Sequence, residues 1–270
     1  MIDHAIGGVL QRMSKYRVIA LFLSLFISGL SLAAERLSVG VILGRPDASL
    51  SFIQKMVKES LSLDVEGNNY EINWTTQLLS ILSKEGVDNI LQVEAVSEFG
   101  SMSNDLMGKA LQLASERSNI VFVPIGGSFE NENEMCLYAS KLTNSVFIFT
   151  AGMEGSFIDE GSIPACLSPN MIRVAALNRA HSDLLPHSNF GLAIQLAAPG
   201  EKIEVTGAGG VTGTISSAAA ASAFVTGELS KFQMSHPILF GHALIEGFYF
   251  ERTVSLPVLL GRIRDGRAVF

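Results

Sequence analysis

The sequence predicts an α/β fold: a mostly parallel β-sheet covered by helices on both faces. Three observations predict it. Short apolar runs rich in β-branched residues alternate with segments whose apolar residues recur at helical spacing. The short runs are apolar throughout rather than at every second position, as strands buried on both faces require. No internal repeat, low-complexity tract or linker divides the chain, so residues 35–270 read as one domain.

The elements follow in chain order. Leu37 to Leu43 is a buried strand stopped by Gly44. Residues 50–63 carry apolar side chains at helical spacing, and Asn73 to Leu82 forms a second helix. Ile90 to Val96 is a strand. Asn104 to Ser115 places Leu106, Met107, Ala110, Leu111 and Ala114 on one helical face. Asn119 to Ile125 is a strand running into Gly126-Gly127. Glu134 to Leu142 is a helix, and Ser145 to Thr150 a strand. Met171 to Leu177 and Gly191 to Ala197 are strands. Ile215 to Ser230 is a helix of small residues.

Composition excludes several classes of function. Hydrophobic residues make up 48 % of the 270-residue chain and charged residues 17 %, which rules out intrinsic disorder. The net charge of −7, without a long basic run, argues against nucleic acid as a partner. Only the N-terminus carries a long apolar stretch, so a multi-span membrane protein is excluded.

That N-terminus has its own logic. The basic segment Met13-Ser14-Lys15-Tyr16-Arg17 precedes an apolar run from Val18 to Leu32 and then Ala33-Ala34. This order is that of a secretory signal peptide, with cleavage after Ala33 or Ala34; the alternative is an uncleaved anchor. Residues 1–34 are therefore read as an N-terminal extension and signal, with Met13 an alternative start. The exported protein is periplasmic or secreted and keeps no stable membrane span after cleavage. In an oxidising compartment the two cysteines, Cys136 and Cys166, read as one disulfide; the alternative is two buried thiols.

Six pieces, in order, carry a family resemblance. They are Asn119-Ile-Val-Phe-Val-Pro-Ile-Gly-Gly127, Val146-Phe-Ile-Phe-Thr-Ala-Gly-Met-Glu-Gly155, and Ile163-Pro-Ala-Cys166 followed by Asn170 to Leu177. Then come Ser188-Asn189-Phe190-Gly191 with Ala197-Ala198-Pro199-Gly200, Gly213-Thr214 before an Ala-rich helix ending Val225-Thr226-Gly227, and Gly261-Arg-Ile-Arg-Asp-Gly-Arg267. This order resembles the subtilisin-like serine proteases, closely over residues 90–270 and loosely over 35–90. The resemblance implies their single-domain three-layer α/β fold. It implies a peptide groove at Ile125, Gly126, Gly127 and Gly152. It also implies a disulfide from the helix at Cys136 to the Pro-Ala-x-Cys segment.

The chemistry of that family is not matched. Acyl transfer needs a nucleophile, a base, an acid that orients the base, and donors for the oxyanion. The family Asp position is Leu43, and Asp47 lies beyond it in a turn. The family His position is Trp74, in Trp74-Thr75-Thr76-Gln77, and no histidine occurs between His4 and His181. The oxyanion asparagine position is Met153, whose thioether donates no hydrogen bond. Counting back from Val225-Thr226-Gly227 puts Ala219 at the nucleophile position. Counting forward from Gly213-Thr214 puts Ile215 there, with Ser216 and Ser217 just after. Those two serines are residual nucleophile candidates, and helix capping is their other role.

Other groups carry weaker signals. His181 and His187 flank Asp183, and His236 and His242 lie near the C-terminus; all four read as surface or capping residues. No ligand-spaced His or Cys pair marks a metal site. The resemblance suggests calcium in loops, for which Asp159 and Glu160 are candidates, but they read as solvated charges. Thr206-Gly-Ala-Gly-Gly-Val-Thr-Gly213 superficially resembles a dinucleotide-binding turn, yet Val211 stands where that pattern needs glycine. No cofactor is expected. The expectation is an exported subtilisin-like domain that has lost proteolysis and binds extended peptides or a protein partner. The alternatives are a divergent serine endopeptidase using Ser216 or Ser217 and a scaffold domain.

Overall fold

The computed structural model describes residues 37–63, 69–95, 103–125, 132–158, 164–255, 262–264 and 267–269. Residues 1–34, read from the sequence as an extension and signal, and Gly126, Gly127, Asp159 and Glu160 lie outside the described residues.

Seven strands form one parallel sheet. They are β1 (Leu37–Leu43), β2 (Val57–Ser62), β3 (Ile90–Glu94), β4 (Ser118–Val123), β5 (Val146–Thr150), β6 (Met171–Leu177) and β7 (Leu196–Pro199). Their spatial order is β2-β3-β1-β4-β5-β6-β7, and every pairing is parallel. The central strands are buried along their length, β5 and β6 at every residue. Phe122, Phe147 and Phe149 fill the core, each contributing about 1.5–3 kcal/mol by burial.

Among the described residues six helices accompany the sheet: α1 (Ser51–Met56), α2 (Asn69–Lys84), α3 (Asn104–Arg117), α4 (Glu132–Ser140), α5 (Ala218–Ser235) and α6 (Gly241–Ser255). Helix α2 packs on α5, which runs across β4 to β7, while α3 packs on α4 and against β1, β3 and β4. Helix α3 forms where the sequence places it. Ser103 caps it by accepting from the Leu106 N–H, and Asp105 and Arg117 complement its dipole. The α/β class and the parallel sheet are as the sequence predicts.

Three elements differ from the sequence reading. Residues 50–63 form not one helix but the short α1 followed by β2, whose side chains alternate between half-buried and exposed. Val57 and Leu61 are four apart, a spacing that fits a helix face and a strand face alike. The last sheet strand falls at Leu196–Pro199, later than Gly191 to Ala197. The Gly-rich segment is the tip of an antiparallel hairpin, β8 (Ile203–Thr206) and β9 (Thr212–Ile215). The chain closes with a second hairpin, β10 (Arg262–Arg264) and β11 (Arg267–Val269).

Cys136 of α4 and Cys166 of a 3₁₀ turn (Pro164–Leu167) are joined in a disulfide. Their separation of 30 residues corresponds to a stabilisation of about 3–4 kcal/mol in the chain-entropy treatment. The guanidinium of Arg173, buried in β6, lies 3.3 Å from the Cys166 Sγ.

Candidate functional site

In this strand order the chain runs from β1 to one side through β2 and β3, then crosses to β4 on the other. The crevice beyond the C-terminal ends of β1 and β4 is the switch point where open α/β sheets place their ligands. Leu43 ends β1, Ile125 follows β4, and Gly152 and Met153 follow β5. Those three strands are neighbours, so these residues line one rim of the sheet.

Leu43 is buried in the core at 3 % exposure and offers no polar atom to the crevice. Trp74, in the first half of α2, is partly buried against the same core. The loop after β1 is tied to that helix, because the Asp47 N–H donates to the Thr76 Oγ1 at 2.9 Å. The Asp47 carboxylate accepts from the Ser49 hydroxyl and N–H and from the Gly209 N–H. The Ser49 hydroxyl bond, then the backbone bonds, hold its pKa below the ordinary carboxylate value. Asp47 therefore anchors the tip of the β8–β9 hairpin.

Met153 meets α5 directly. Its Sδ accepts a hydrogen bond from the Ala218 N–H at 3.1 Å. Ala218 is the first residue of α5, where the backbone N–H groups have no partner within the helix. The thioether thus occupies a donor at the positive end of the helix dipole. Gly152 has φ +93, and a Cβ there would lie 2.6 Å from the Asn189 Nδ2. Asn189 organises this loop: its Nδ2 donates to the Ala151 carbonyl, and its Oδ1 accepts from the N–H groups of Glu154 and Ser156.

The serines have other partners. The Ser217 Oγ is the N-cap of α5 and accepts from the Ala220 N–H at 3.0 Å. The Ser216 Oγ accepts from the Lys202 N–H at 2.9 Å. Ala219, in the first turn of α5, is 6 % exposed and carries no hydroxyl. Gly213 and Thr214 lie in β9, paired with Val205 and Glu204, which removes them from the turn before the helix.

The histidines lie elsewhere. His181 sits in a turn at φ 56. The His187 carbonyl accepts from the Gly155 N–H. His236 stacks on Phe232 and lies 3.5 Å from Glu251, and His242 lies 3.6 Å from Glu246. Among the described residues no histidine hydrogen-bonds to Ser216 or Ser217. Nor do three or more His, Cys, Asp or Glu side chains converge as a metal site there, and no helix is long and apolar enough to cross a membrane.

Sequence reasoning placed Met153 at this rim but not its partner Ala218, since a free N–H leaves no mark in the sequence. In the sequence Asn189 stands out only as part of a turn, without its role. Asn73 and Ser80 were also missed; their Oδ1 and Oγ accept from the Ala208 and Thr206 N–H groups and seat the hairpin on α2.

No protein-family model matches the sequence, and no curated protein does. Solved structures do share the fold. A serine-to-alanine mutant of the protease domain of PatA aligns with TM-score 0.64 at 19 % identity, over 83 % of this chain and 90 % of that one. A cold-adapted subtilisin-like serine proteinase aligns with TM-score 0.65 at 17 % identity, over 86 % and 87 %. The prenylagaramide maturation protease PagA aligns with TM-score 0.59 at 19 % identity, over 77 % and 80 %. The chain has the fold of the subtilisin-like proteases.

Proposed function

We propose that the chain is an exported subtilisin-fold protein that does not hydrolyse peptide bonds and binds an extended peptide segment. The binding place is the crevice beyond β1, β4 and β5. The observation that carries the reading is the Met153 Sδ on the Ala218 N–H at 3.1 Å. An oxyanion needs donors that stand open where its charge develops, and loss of one donor costs about 10²–10³ in rate in other enzymes. Here the position of that donor carries a sulfur acceptor, turned onto the first N–H of α5. The positions that resemble the acid, base and nucleophile of the family carry Leu43, Trp74 and Ala219.

Binding needs none of those groups. An extended peptide is held by main-chain pairing to a strand and by pockets for alternate side chains. Ile125, Gly126, Gly127 and Gly152 are the residues proposed to form that groove. Trp74 and Met153 make its floor apolar, which suits an aliphatic or aromatic anchor. Pro124 removes one backbone donor and shifts the pairing toward Ile125 and beyond. Export accords with the Cys136–Cys166 disulfide, since such bonds persist in oxidising compartments.

The test is retention of a diverse library of extended peptides on the immobilised, disulfide-intact protein. Selective capture of peptides sharing an apolar anchor is the expected result. Failure to retain any member would overturn the binding reading.

A further inference from the structure

The β8–β9 hairpin has two edges, and they are treated differently. The Gly207 N–H donates to the Val211 carbonyl, which makes that pair a hydrogen-bonded one. Along an antiparallel ladder the hydrogen-bonded pairs alternate with open ones. Val205 with Gly213 and Ile203 with Ile215 are therefore bonded pairs, and Thr206 with Thr212 and Glu204 with Thr214 are open ones. The open residues turn their main-chain groups outward. Two bonds confirm this on the β8 side: the Thr206 N–H donates to the Ser80 Oγ, and the Glu204 carbonyl accepts from the Lys84 Nζ. Helix α2 thus covers the outer edge of β8.

Among the described residues nothing covers the outer edge of β9 in this way. By the same alternation, Thr212 and Thr214 present their N–H and C=O groups outward, and among the described residues these groups meet no hydrogen-bond partner. Thr212, Gly213 and Thr214 are exposed, and nothing lies within 4 Å of the Cβ position of Gly213.

Folded proteins blunt bare strand edges with charges, prolines, bulges or a covering element. The first strand of the main sheet, β2, carries Lys58 and Glu59 and a register shift between Val57 and Glu59. The last, β7, has β10 packed against it. Strand β9 reads Thr-Gly-Thr-Ile and has none of these devices.

We propose that the β9 edge pairs with the β9 edge of a second copy of this chain. The edge is self-complementary. In an antiparallel register centred on Gly213, Thr212 faces Thr214 of the second copy and Thr214 faces its Thr212. Each pair then exchanges both of its outward main-chain hydrogen bonds. Gly213 faces Gly213 of the second copy at the open position, where the Cα atoms approach most closely. Neutral threonines keep like charges from meeting on this strand, despite the chain's net charge of −7. A strand this short buries far less than the ~1,200 Å² of a stable interface, so the pairing is reversible and concentration-dependent.

Sedimentation of the purified protein between about 5 µM and about 500 µM tests this, a range suited to small interfaces. The expected result is a monomer–dimer equilibrium that weakens at least tenfold in Thr214→Pro. That substitution removes only an outward N–H and is tolerated at a strand edge. Thr214→Lys, which keeps the backbone donor but adds a charge, should weaken it likewise. Wild-type amide exchange at Thr212 and Thr214 should slow on concentration. A monomer throughout, or a dimer unaffected by both variants, would overturn the proposal. Neither outcome bears on peptide binding in the crevice.

Discussion

Met153 and an asparagine differ most in what they offer an N–H group. An amide side chain can donate to a developing negative charge, whereas a thioether only accepts, and weakly. The position was legible in the sequence because Ala151-Gly152-Met153 stands after an apolar strand. Its consequence was not, because the Ala218 N–H becomes available only where α5 begins. Ser217 is a comparable case. Its sequence neighbourhood left nucleophile and cap open, and the bond from the Ala220 N–H places it as a cap. Ser217→Ala should therefore lower stability by about 1 kcal/mol, read by urea unfolding, with Ser217→Asp retaining most of it. Equal losses in both variants would argue against the capping role.

Elements were legible where burial imposes one period. Strands β5 and β6 are apolar at nearly every position because both faces are covered, and both were read from their sequences. Strand β2 was lost because Val57 and Leu61 serve either period. The β8–β9 hairpin was lost because β9 is exposed and has no apolar pattern at all. Buried Val205 seats that hairpin on the core, and polar contacts clamp it: Asn73, Ser80 and Lys84 from α2, and Asp47 from the loop after β1. Asp47 makes this clamp pH-dependent. Its folded pKa is depressed, so its contribution is fully present above the ordinary carboxylate value and is lost as pH falls through the lowered one. The stability of the wild type minus that of Asp47→Asn should be positive and level between about pH 5 and about pH 7, then shrink in acid. A difference that is the same at every pH would show that the carboxylate charge has no part in the clamp.

For the whole molecule, the alternation of strands and helices sufficed for the parallel α/β architecture, and the ordered motif pieces sufficed for its subtilisin-like form. The strand order puts the crevice beside the ends of β1 and β4. In the proposed reading, fold and chemistry part at single side chains. The sheet keeps its rim with Leu43, Trp74 or Met153 on it, because apolar groups there extend the core at no cost in unpaired polar atoms. The groups needed for acyl transfer are a separate requirement, satisfied by geometry alone. The proposed reading is of a scaffold that has lost hydrolysis and kept its binding edge.

The decisive experiment is reaction of the disulfide-intact protein with a fluorophosphonate serine probe, beside Ser216→Ala and Ser217→Ala. A protein that melts cooperatively and takes up no label is the predicted result. Labelling that disappears in one of the two variants would contradict it and identify that serine as an active nucleophile.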